Sequence, residues 1–419
     1  MTGPGHNLGS NRAPILIAGG GIGGLALALA LARCGLRSIV LERQARPTAA
    51  GAGIQLGPNG VRVLEALGVA NALRPCVGEP EAIEVRAGAS GRLLARLPLG
   101  RWIAARHGAP YWVAHRGDLH DALLAAVAGD PLIEVHTGFE VATVAQTPAR
   151  VSVADVDGHR RAGPVLVGAD GLWSAVRAAL TPGSAPRPAG ATAARTVIPA
   201  GRAGPLAAAD VGVWLTPAAH VVHYPVRRGS EVALVVIARE PQAGERAGRG
   251  WDTQADAAAL GRRLAPFHHS LTEILLPGAG RSWPWREWTL YTLPPLPAWV
   301  QGRVVLLGDA AHPMLPYLAQ GGAMALEDAV VLGDCLASAA GPAAALARFE
   351  ALRAARARRI QAASLRQGRI YRLMPPLSWA RDAALALTPG PLLMAGYDWL
   401  YGWHPPSSAA FSDAKRRGG

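Results

Sequence analysis

Apolar residues near the amino terminus form two short runs on either side of a longer one. Residues 15–18 are wholly apolar, residues 25–32 contain only leucine and alanine, and residues 36–41 are again mostly apolar. Short apolar runs next to glycine are typical of buried strands, whereas the long run is typical of a helix. The pattern predicts a strand, a helix and a second strand over residues 13–42, the unit that opens a parallel sheet.

Beyond residue 80, apolar and polar positions alternate in short runs that predict strands. We expect a hairpin around residues 88–91, short strands between residues 133 and 167, an antiparallel sheet over residues 190–240 and a buried strand at residues 303–307. Asp118 is expected to begin and cap a helix. The predicted helices cover residues 58–67, 118–128, 252–276, 324–336 and about 343–367.

These elements predict an α/β fold with a discontinuous Rossmann-like nucleotide-binding domain, an inserted domain rich in β-sheet, and a C-terminal helical segment. The nucleotide-binding domain comprises residues 13–80, 102–189 and 288–370. The inserted domain comprises residues 81–101 and 190–287, and a substrate pocket is expected between the two domains. A disordered leader at residues 1–12 and a helical segment with a tail at residues 371–419 complete the prediction.

Composition narrows the function classes. Among the 419 residues are 3 cysteines, too few and too scattered for a disulfide framework or a metal site. The net charge is +13, but Lys415 is the only lysine and the densest arginine run, at residues 353–359, reads as a solvated helix face, so no nucleic-acid partner is predicted. The uncharged stretch at residues 14–32 has the length of a membrane span or a signal peptide, but its glycines argue against one continuous helix. We expect a cytoplasmic protein without a membrane partner.

Three glycines and one acid mark the first predicted unit as a dinucleotide site. Gly19, Gly21 and Gly24 lie where the strand meets the helix, and Glu42 ends the second strand. In such a site the first glycine permits a tight turn, the second lets the backbone approach a pyrophosphate, and the third lets the helix pack closely on the strand. The helix N-terminus offers its amides to phosphates, and Glu42 can accept hydrogen bonds from ribose hydroxyls.

Two further strand ends carry candidate chemistry. Asp170 and Gly171 follow an apolar strand and open a helix, which an ordinary turn with a helix cap would also explain. Asp309 ends the strand at residues 303–307 and can accept a hydrogen bond from a ribityl hydroxyl. Gly321 and Gly322 then stand at a predicted helix N-terminus, where their amides can face a ligand carbonyl or an anion.

Together these residues resemble the single-component, FAD-dependent aromatic hydroxylases, the family of p-hydroxybenzoate hydroxylase, over nearly the whole chain. The branch they resemble contains the salicylate, 3-hydroxybenzoate and 6-hydroxynicotinate hydroxylases. The segments His115–Leu119 and Asp398–Tyr401 add to this resemblance. It implies a bound FAD, held by Gly19, Gly21, Gly24, Glu42, Arg43, Arg116, Asp170, Asp309, Gly321 and Gly322.

The resemblance also implies a reaction. NADH or NADPH, bound only transiently, reduces the flavin, and O₂ then gives a C4a-hydroperoxyflavin that hydroxylates a small aromatic acid of the hydroxybenzoate or salicylate type. The partners are then the aromatic substrate, NAD(P)H and O₂, with a homodimer as a further possibility. Two alternatives stay open: an FAD-dependent hydroxylase or epoxidase of a larger apolar metabolite, and a flavin-binding protein without turnover.

A histidine and a tyrosine on one predicted strand are the candidates for substrate chemistry. Residues 220, 222 and 224 of an extended strand share a face, so His220 and Tyr224 point one way and His223 the other. The family branch has a substrate-contacting histidine and tyrosine at this spacing, and the resemblance carries catalytic roles to His220 and Tyr224. An imidazole with a pKa near 6.5 suits a base that deprotonates a phenol. The alternative is a buried sheet histidine beside a core tyrosine.

Other residues are candidates for the pocket wall. Tyr317 and Gln320 are expected to contact the substrate on the flavin side, whereas His312 in the same loop is interpreted as structural. Arg227 or Arg239 is the candidate partner for a substrate carboxylate. Four tryptophans of the inserted unit are expected either to line an aromatic pocket or to pack within the sheet: Trp214, Trp283, Trp285 and Trp288.

Overall fold

The computed structural model of the protein describes residues 13–45, 53–240, 253–276, 278 and 283–406. The expected leader and the last residues of the expected tail lie outside the described residues. The strands are β1 Ile15–Ala18, β2 Ser38–Glu42, β3 Gly53–Leu56, β4 Ala82–Ala87, β5 Leu93–Pro98, β6 Trp112–His115, β7 Ile133–Thr137, β8 Val141–Gln146, β9 Val151–Asp155, β10 Arg160–Gly163, β11 Leu166–Gly168, β12 Arg187–Pro199, β13 Val211–Leu215, β14 Ala219–Val226, β15 Glu231–Arg239, β16 Thr253–Gln254, β17 Arg286–Thr292, β18 Val300–Gln301 and β19 Val304–Leu306. The helices are α1 Ile22–Arg33, α2 Pro58–Ala66, α3 Ala70–Leu73, α4 Gly100–His107, α5 Arg116–Ala128, α6 Ala175–Leu180, α7 Ala200–Ala203, α8 Ala257–Leu264, α9 His269–Leu275, α10 Gly321–Ser338, α11 Pro342–Tyr371, α12 Leu377–Leu387, α13 Gly390–Ala395 and α14 Asp398–Tyr401.

One large sheet has the strand order β18–β19–β11–β1–β2–β7. Its neighbouring strands run parallel, except that β18 and β19 are antiparallel. All four residues of β1 are buried, which fits its central place in a sheet that is covered on both faces. The carboxyl ends of β1, β2, β11 and β19 meet at one edge, so the topology brings together the four predicted motifs.

The other large sheet has the strand order β16–β17–β12–β15–β14–β13–β4–β5. Its pairs are antiparallel except β13 with β4, which confirms the antiparallel sheet predicted for residues 190–240 and the hairpin around residues 88–91. The sheet combines residues 82–98 with residues 187–292, and the predicted domain boundaries stay a prediction. Smaller antiparallel sheets form from β8–β9–β10 and from β3–β6.

The second large sheet has a hydrophobic core on each face. Val213 and Tyr224 belong to the main core, which is continuous with the parallel sheet and its helices. Trp214, which follows Val213, and Val221, three residues before Tyr224, belong to a separate core with α8 and α9. Side chains of one strand therefore alternate between the cofactor side and the outer side, as a period of two requires.

Two predicted helices differ from the sequence expectation. The helix expected to begin at Asp118 begins at Arg116, because His115 caps it: Nδ1 of His115 accepts a hydrogen bond from the amide of Gly117 at 3.2 Å. Asp118 lies in the first turn and pairs with Arg227 at 3.5 Å. The helix predicted over residues 252–276 is instead the strand β16 and two helices, α8 and α9. In the described part of the chain, no helix combines the length and the apolar character needed to cross a bilayer.

Candidate active site

The glycine loop has the backbone geometry that a dinucleotide site requires. Gly19 has a φ of +107°, a conformation that L side chains disfavour. A Cβ at Gly24 would lie 1.9 Å from the carbonyl oxygen of Gly19, so only glycine lets α1 approach β1 this closely. Around Gly21, by contrast, a Cβ would meet no atom within 4 Å. This open space at the N-terminus of α1 is where a phosphate can approach the backbone.

Glu42 ends β2 directly beside this loop. Its Oε2 accepts a hydrogen bond from the amide of Gly20 at 2.7 Å, and its Oε1 accepts one from the amide of Gln44 at 2.8 Å. The carboxylate is therefore fixed next to the glycine loop, where ribose hydroxyls are expected. Arg43 and Arg116 are both exposed, and their contact with a cofactor stays a prediction.

Asp170 follows β11 at the same edge of the sheet. Its Oδ1 accepts a hydrogen bond from the hydroxyl of Ser174 at 2.5 Å, and its Oδ2 accepts one from the amide of Val176 at 3.1 Å. Burial raises the pKa of Asp170. Ser174 is the N-cap of α6, and Arg177 of this helix donates to the carbonyl of Ala310 at 3.0 Å. Asp170 thus holds the first turn of a helix that is tied to the loop after β19, and its contact with a cofactor stays a prediction.

The loop after β19 leads from Asp309 to the N-terminus of α10. Burial raises the pKa of Asp309, although the positive charges of His312 and Arg116 act in the opposite direction. At Gly321 a Cβ would meet only Met314 within 4 Å, whereas at Gly322 it would lie 2.8 Å from Cδ1 of Ile54. The first amides of α10 therefore border open space on the Gly321 side.

A buried ionic cluster supports this loop. Asp328 of α10 accepts hydrogen bonds from the amide of Gly308 at 3.2 Å, from Nε2 of His312 at 2.5 Å and from Nε of Arg353 at 2.7 Å. Burial alone would raise the pKa of Asp328, but the charges of His312 and Arg353 lower it to about 2. Arg353, expected on a solvated helix face, is only 1% exposed and also pairs with Glu327 at 2.8 Å, because buried carboxylates of α10 compensate its charge. This geometry supports the interpretation of His312 as structural.

Two cavities meet at Pro316, which lines both of them. The aromatic cleft has a volume of about 170 Å³, and its lining includes Trp173, Trp288, Tyr291 and Asp309. The other cavity, of about 180 Å³, lies between β13–β14, the loop at residues 316–319 and the helices α11–α13. We call it the roofed cavity, because α12 and α13 cover it.

His220 lies in the roofed cavity and is only 1% exposed. Its ring centroid is 5.5 Å from that of Tyr317 and 5.1 Å from that of Tyr371. Its Nδ1 has no hydrogen-bond partner among the described residues. Burial, and to a smaller extent Arg372, lowers the pKa of His220 to about 3. The imidazole is therefore neutral near pH 7 and can accept a hydrogen bond. It is, however, a much weaker base than a histidine with the ordinary pKa of 6.5.

Tyr224 lies on the same face of β14 as His220 but does not line the roofed cavity. Its ring packs on Gly53, where a Cβ would lie 2.3 Å from Cε2 of Tyr224. His223 points to the opposite face and covers Gly212. His220 and Tyr224 therefore share one face of β14, as the period of the strand predicts, and their catalytic roles stay a prediction.

The two residues predicted to line the pocket, Tyr317 and Gln320, lie in different surroundings. Tyr317 lines the roofed cavity, and its buried hydroxyl has no hydrogen-bond partner within the described ranges. Gln320 is 2% exposed, does not line the cavity, and accepts a hydrogen bond from Nδ2 of Asn59 at 2.9 Å. The geometry agrees with a substrate contact for Tyr317 and places Gln320 in the support of the α10 N-terminus.

Two arginines beside the roofed cavity were not predicted from the sequence. The guanidinium carbon of Arg372 lies 5.6 Å from the ring centroid of Tyr317, and its Nε donates to the carbonyl of Gly368 at 3.0 Å. Arg381 lines the cavity but is paired with Asp382, to which its Nε donates at 2.8 Å. Both arginines follow the long helix in sequence, and only the tertiary packing of the C-terminal helices brings them to the cavity.

The arginines proposed from the sequence lie elsewhere. Arg227 pairs with Asp118 and Glu231 at the end of β14, and Arg239 is exposed at the end of β15, so neither lines the roofed cavity. Of the four tryptophans, Trp288 lines the aromatic cleft and stacks on Arg195, whose guanidinium carbon is 4.4 Å from its ring centroid. The other three pack in or against the core beside α8 and α9.

The open glycine loop, the acid that ends β2 and the open start of α10 lie at one edge of a parallel sheet, and the roofed cavity lies beside the loop that leads to α10. This arrangement defines a dinucleotide-binding fold, and the donors present fit a flavin dinucleotide. The family model described as FAD binding domain matches residues 12–366. The chain belongs to this family, and FAD is its cofactor.

Individual relatives agree with this assignment. The chain is 39% identical over 352 residues to 3-hydroxybenzoate 6-hydroxylase 1 of Aquipseudomonas alcaligenes. This alignment covers 83% of this chain and 86% of that protein. It is 36% identical over 408 residues to 3-amino-4-hydroxybenzoate 2-monooxygenase PtnB3 of Streptomyces platensis. That alignment covers 95% of this chain and 98% of the relative. HpxO of Klebsiella pneumoniae, solved with FAD and uric acid, has a TM-score of 0.80 and 25% identity over 93% of this chain and 97% of that one. The resemblance and the α/β fold predicted from the sequence are confirmed.

Proposed function

We propose that the protein is an FAD-dependent monooxygenase that uses NADH or NADPH and O₂ to hydroxylate a small aromatic acid of the hydroxybenzoate class. The observation that carries this proposal is a buried histidine whose Nδ1 has no hydrogen-bond partner among the described residues, in a cavity that shares Pro316 with the cleft containing Asp309. Two relatives named for hydroxybenzoate substrates, each more than 30% identical, support the substrate class.

Bound FAD supplies the redox and oxygen-transfer chemistry, and the protein supplies binding and orientation. The open backbone at Gly21 would hold the pyrophosphate, and Glu42 would hold the adenosine ribose. Asp309 would hold the ribityl chain, and the amides at Gly321 and Gly322 would face the flavin ring. A positive helix end suits the negative charge that a reduced flavin carries.

His220 would accept a hydrogen bond from the substrate hydroxyl. A neutral imidazole withdraws the proton partly and so makes the aromatic ring more electron-rich, which favours attack on an electrophilic oxygen. Arg372 stands near this site as a cation for the substrate carboxylate. A carboxylate there would cancel part of the positive charge that lowers the pKa of His220, so substrate binding would strengthen the base. The roof formed by α12 and α13 would limit the access of bulk water to the substrate.

NAD(P)H oxidation by the FAD-loaded enzyme tests this proposal. We expect 3-hydroxybenzoate, salicylate or an amino-hydroxybenzoate to accelerate oxidation at least about tenfold over the rate with benzoate, with one hydroxylated product formed for each NAD(P)H consumed. Acceleration only by large apolar phenols or alkenes would replace the proposal with the first alternative. If neither NADH nor NADPH were oxidised with any substrate, the alternative of a flavin-binding protein without turnover would replace the proposal.

A further inference from the structure

The outer side of the C-terminal helices is an exposed apolar surface. Five large side chains in residues 374–392 are between 61% and 83% exposed: Met374, Leu377, Trp379, Leu387 and Leu392. The other exposed residues of this segment are alanines and prolines. Its two charged residues, Arg381 and Asp382, pair with each other. We call the exposed residues of 374–392 the apolar face.

A row of arginines adjoins the apolar face along the chain. Arg358, Arg359, Arg366 and Arg369 are exposed on α11 at helical spacing, so they share one side of the helix that ends just before Met374. The acidic residues from 351 to 406 are Asp382 and Asp398, and both are paired with arginine. We call these four arginines the basic stripe, and no carboxylate in this part of the sequence is left to neutralise it.

The apolar face is the outside of the roof over the roofed cavity. The same two helices direct Leu385, Leu393 and Met394 inward, where they line that cavity. The helices are therefore apolar on both sides, although an ordinary surface helix has one polar side. A contiguous exposed apolar surface of this kind marks a contact with a protein or a membrane.

We infer that the apolar face and the basic stripe together dock on the surface of an anionic lipid bilayer. A tryptophan and leucines suit insertion at the level of the headgroups, and arginines beside them attract anionic lipids. A second copy of the chain is disfavoured as the occupant, because a dimer contact over the whole surface would bury the arginines of the basic stripe without a neutralising carboxylate. We expected no membrane partner because the sequence predicts no spanning helix, which a peripheral contact does not need.

Co-sedimentation of the FAD-loaded full-length protein with vesicles tests this inference, which does not depend on the proposed reaction. We expect binding to vesicles of phosphatidylcholine with phosphatidylglycerol, little binding to phosphatidylcholine alone, and release at high salt. The variant L377S/W379S/L387S should lose binding. The variant R366Q/R369Q should weaken it by about fivefold for each arginine removed.

Matched variants at a distant surface serve as controls. Val156→Ser removes another highly exposed apolar side chain, and R150Q/R160Q removes two exposed arginines near it; both should bind like the unmodified protein. Normal FAD absorbance shows that each variant is folded. Equal binding to both kinds of vesicle, or no binding to either, would overturn the inference. A dimer in light scattering that the triple variant abolishes, without vesicle binding, would assign the surface to a second copy.

Discussion

The ring of Tyr317 lies directly against the α-carbon of Gly368, where a Cβ would be 2.5 Å from Cε2 of the tyrosine. We expect Gly368→Ala to push Tyr317 into the roofed cavity and to raise KM for the aromatic substrate by roughly tenfold to a hundredfold. Steady-state kinetics measure this change. Gly261→Ala is the matched control, because a Cβ there meets no atom within 4 Å. An unchanged KM in Gly368→Ala would show that the position of Tyr317 does not govern substrate binding.

The glycine loop gives a second prediction. Gly21→Ala adds a methyl group where the structure is open, so we expect the unfolding free energy of the apoprotein to fall by less than about 1 kcal/mol. The same methyl group obstructs the approach of a pyrophosphate, so the Kd for FAD should rise at least about tenfold. Gly24→Ala should instead destabilise the apoprotein by more than about 2 kcal/mol, because its Cβ would overlap the carbonyl of Gly19. Chemical denaturation and FAD titration separate these effects; equal loss of stability in both variants would contradict them.

His220→Asn tests the proposed role of the buried imidazole. We expect substrate-stimulated NAD(P)H oxidation at pH 7 to fall roughly a hundredfold while FAD stays bound. Because the pKa of His220 is about 3, the wild-type rate should not titrate near pH 6.5 on account of this residue. His223→Asn, on the opposite face of β14, should retain most of the turnover. Unchanged turnover in His220→Asn would remove this residue from the mechanism.

The stability of the protein should depend on pH because His223 is buried in its neutral form. Burial, with Arg86 adding, lowers the pKa of His223 to about 4, against about 6.5 in an unfolded chain. Between these values the unfolded state binds a proton that the native state does not, so stability is complete above pH 6.5 and falls as the pH drops toward 4. The loss from this residue is about 2 kcal/mol at pH 5. Urea denaturation at pH 8 and pH 5 should show a smaller pH difference for His223→Gln, and an equal difference would refute the assignment.

Arg372→Gln tests how the roofed cavity recognises a carboxylate. We expect KM for a hydroxybenzoate to rise about tenfold, which corresponds to the loss of one charge-assisted interaction, while the KM for an uncharged phenol of the same shape changes little. Arg239→Gln, the candidate drawn from the sequence, should behave like the unmodified enzyme. An equal change for charged and uncharged substrates would assign Arg372 to packing against Tyr317.

Local rules explain which parts of the structure the sequence could predict. The backbone roles of Gly19 and Gly24 were predicted correctly, because a tight turn and a close helix–strand contact depend on neighbours within a few residues. The alternation of His220 and His223 followed from the period of a strand. The predicted start of α5 was wrong because His115, an unusual capping residue, caps the helix in place of Asp118.

Long-range packing explains the rest. Nothing near Gln320 in sequence indicates Asn59, which binds its side chain from 261 residues away. Arg372 lies beside Tyr317 only because the end of α11 packs against the loop that carries this tyrosine, and sequence periodicity cannot show where a helix ends in space. Likewise, an apolar pattern cannot distinguish the inner side of α12 and α13 from their bare outer side.

Pro316 lines both cavities, so one ring shapes part of each compartment. The ring is stiff and cannot yield by changing its own torsion. A guest that pushes this ring aside in one compartment would therefore change the shape of the other. A substitution of Pro316 that widens one compartment would also alter its neighbour. The shapes of the two compartments are therefore hard to change separately.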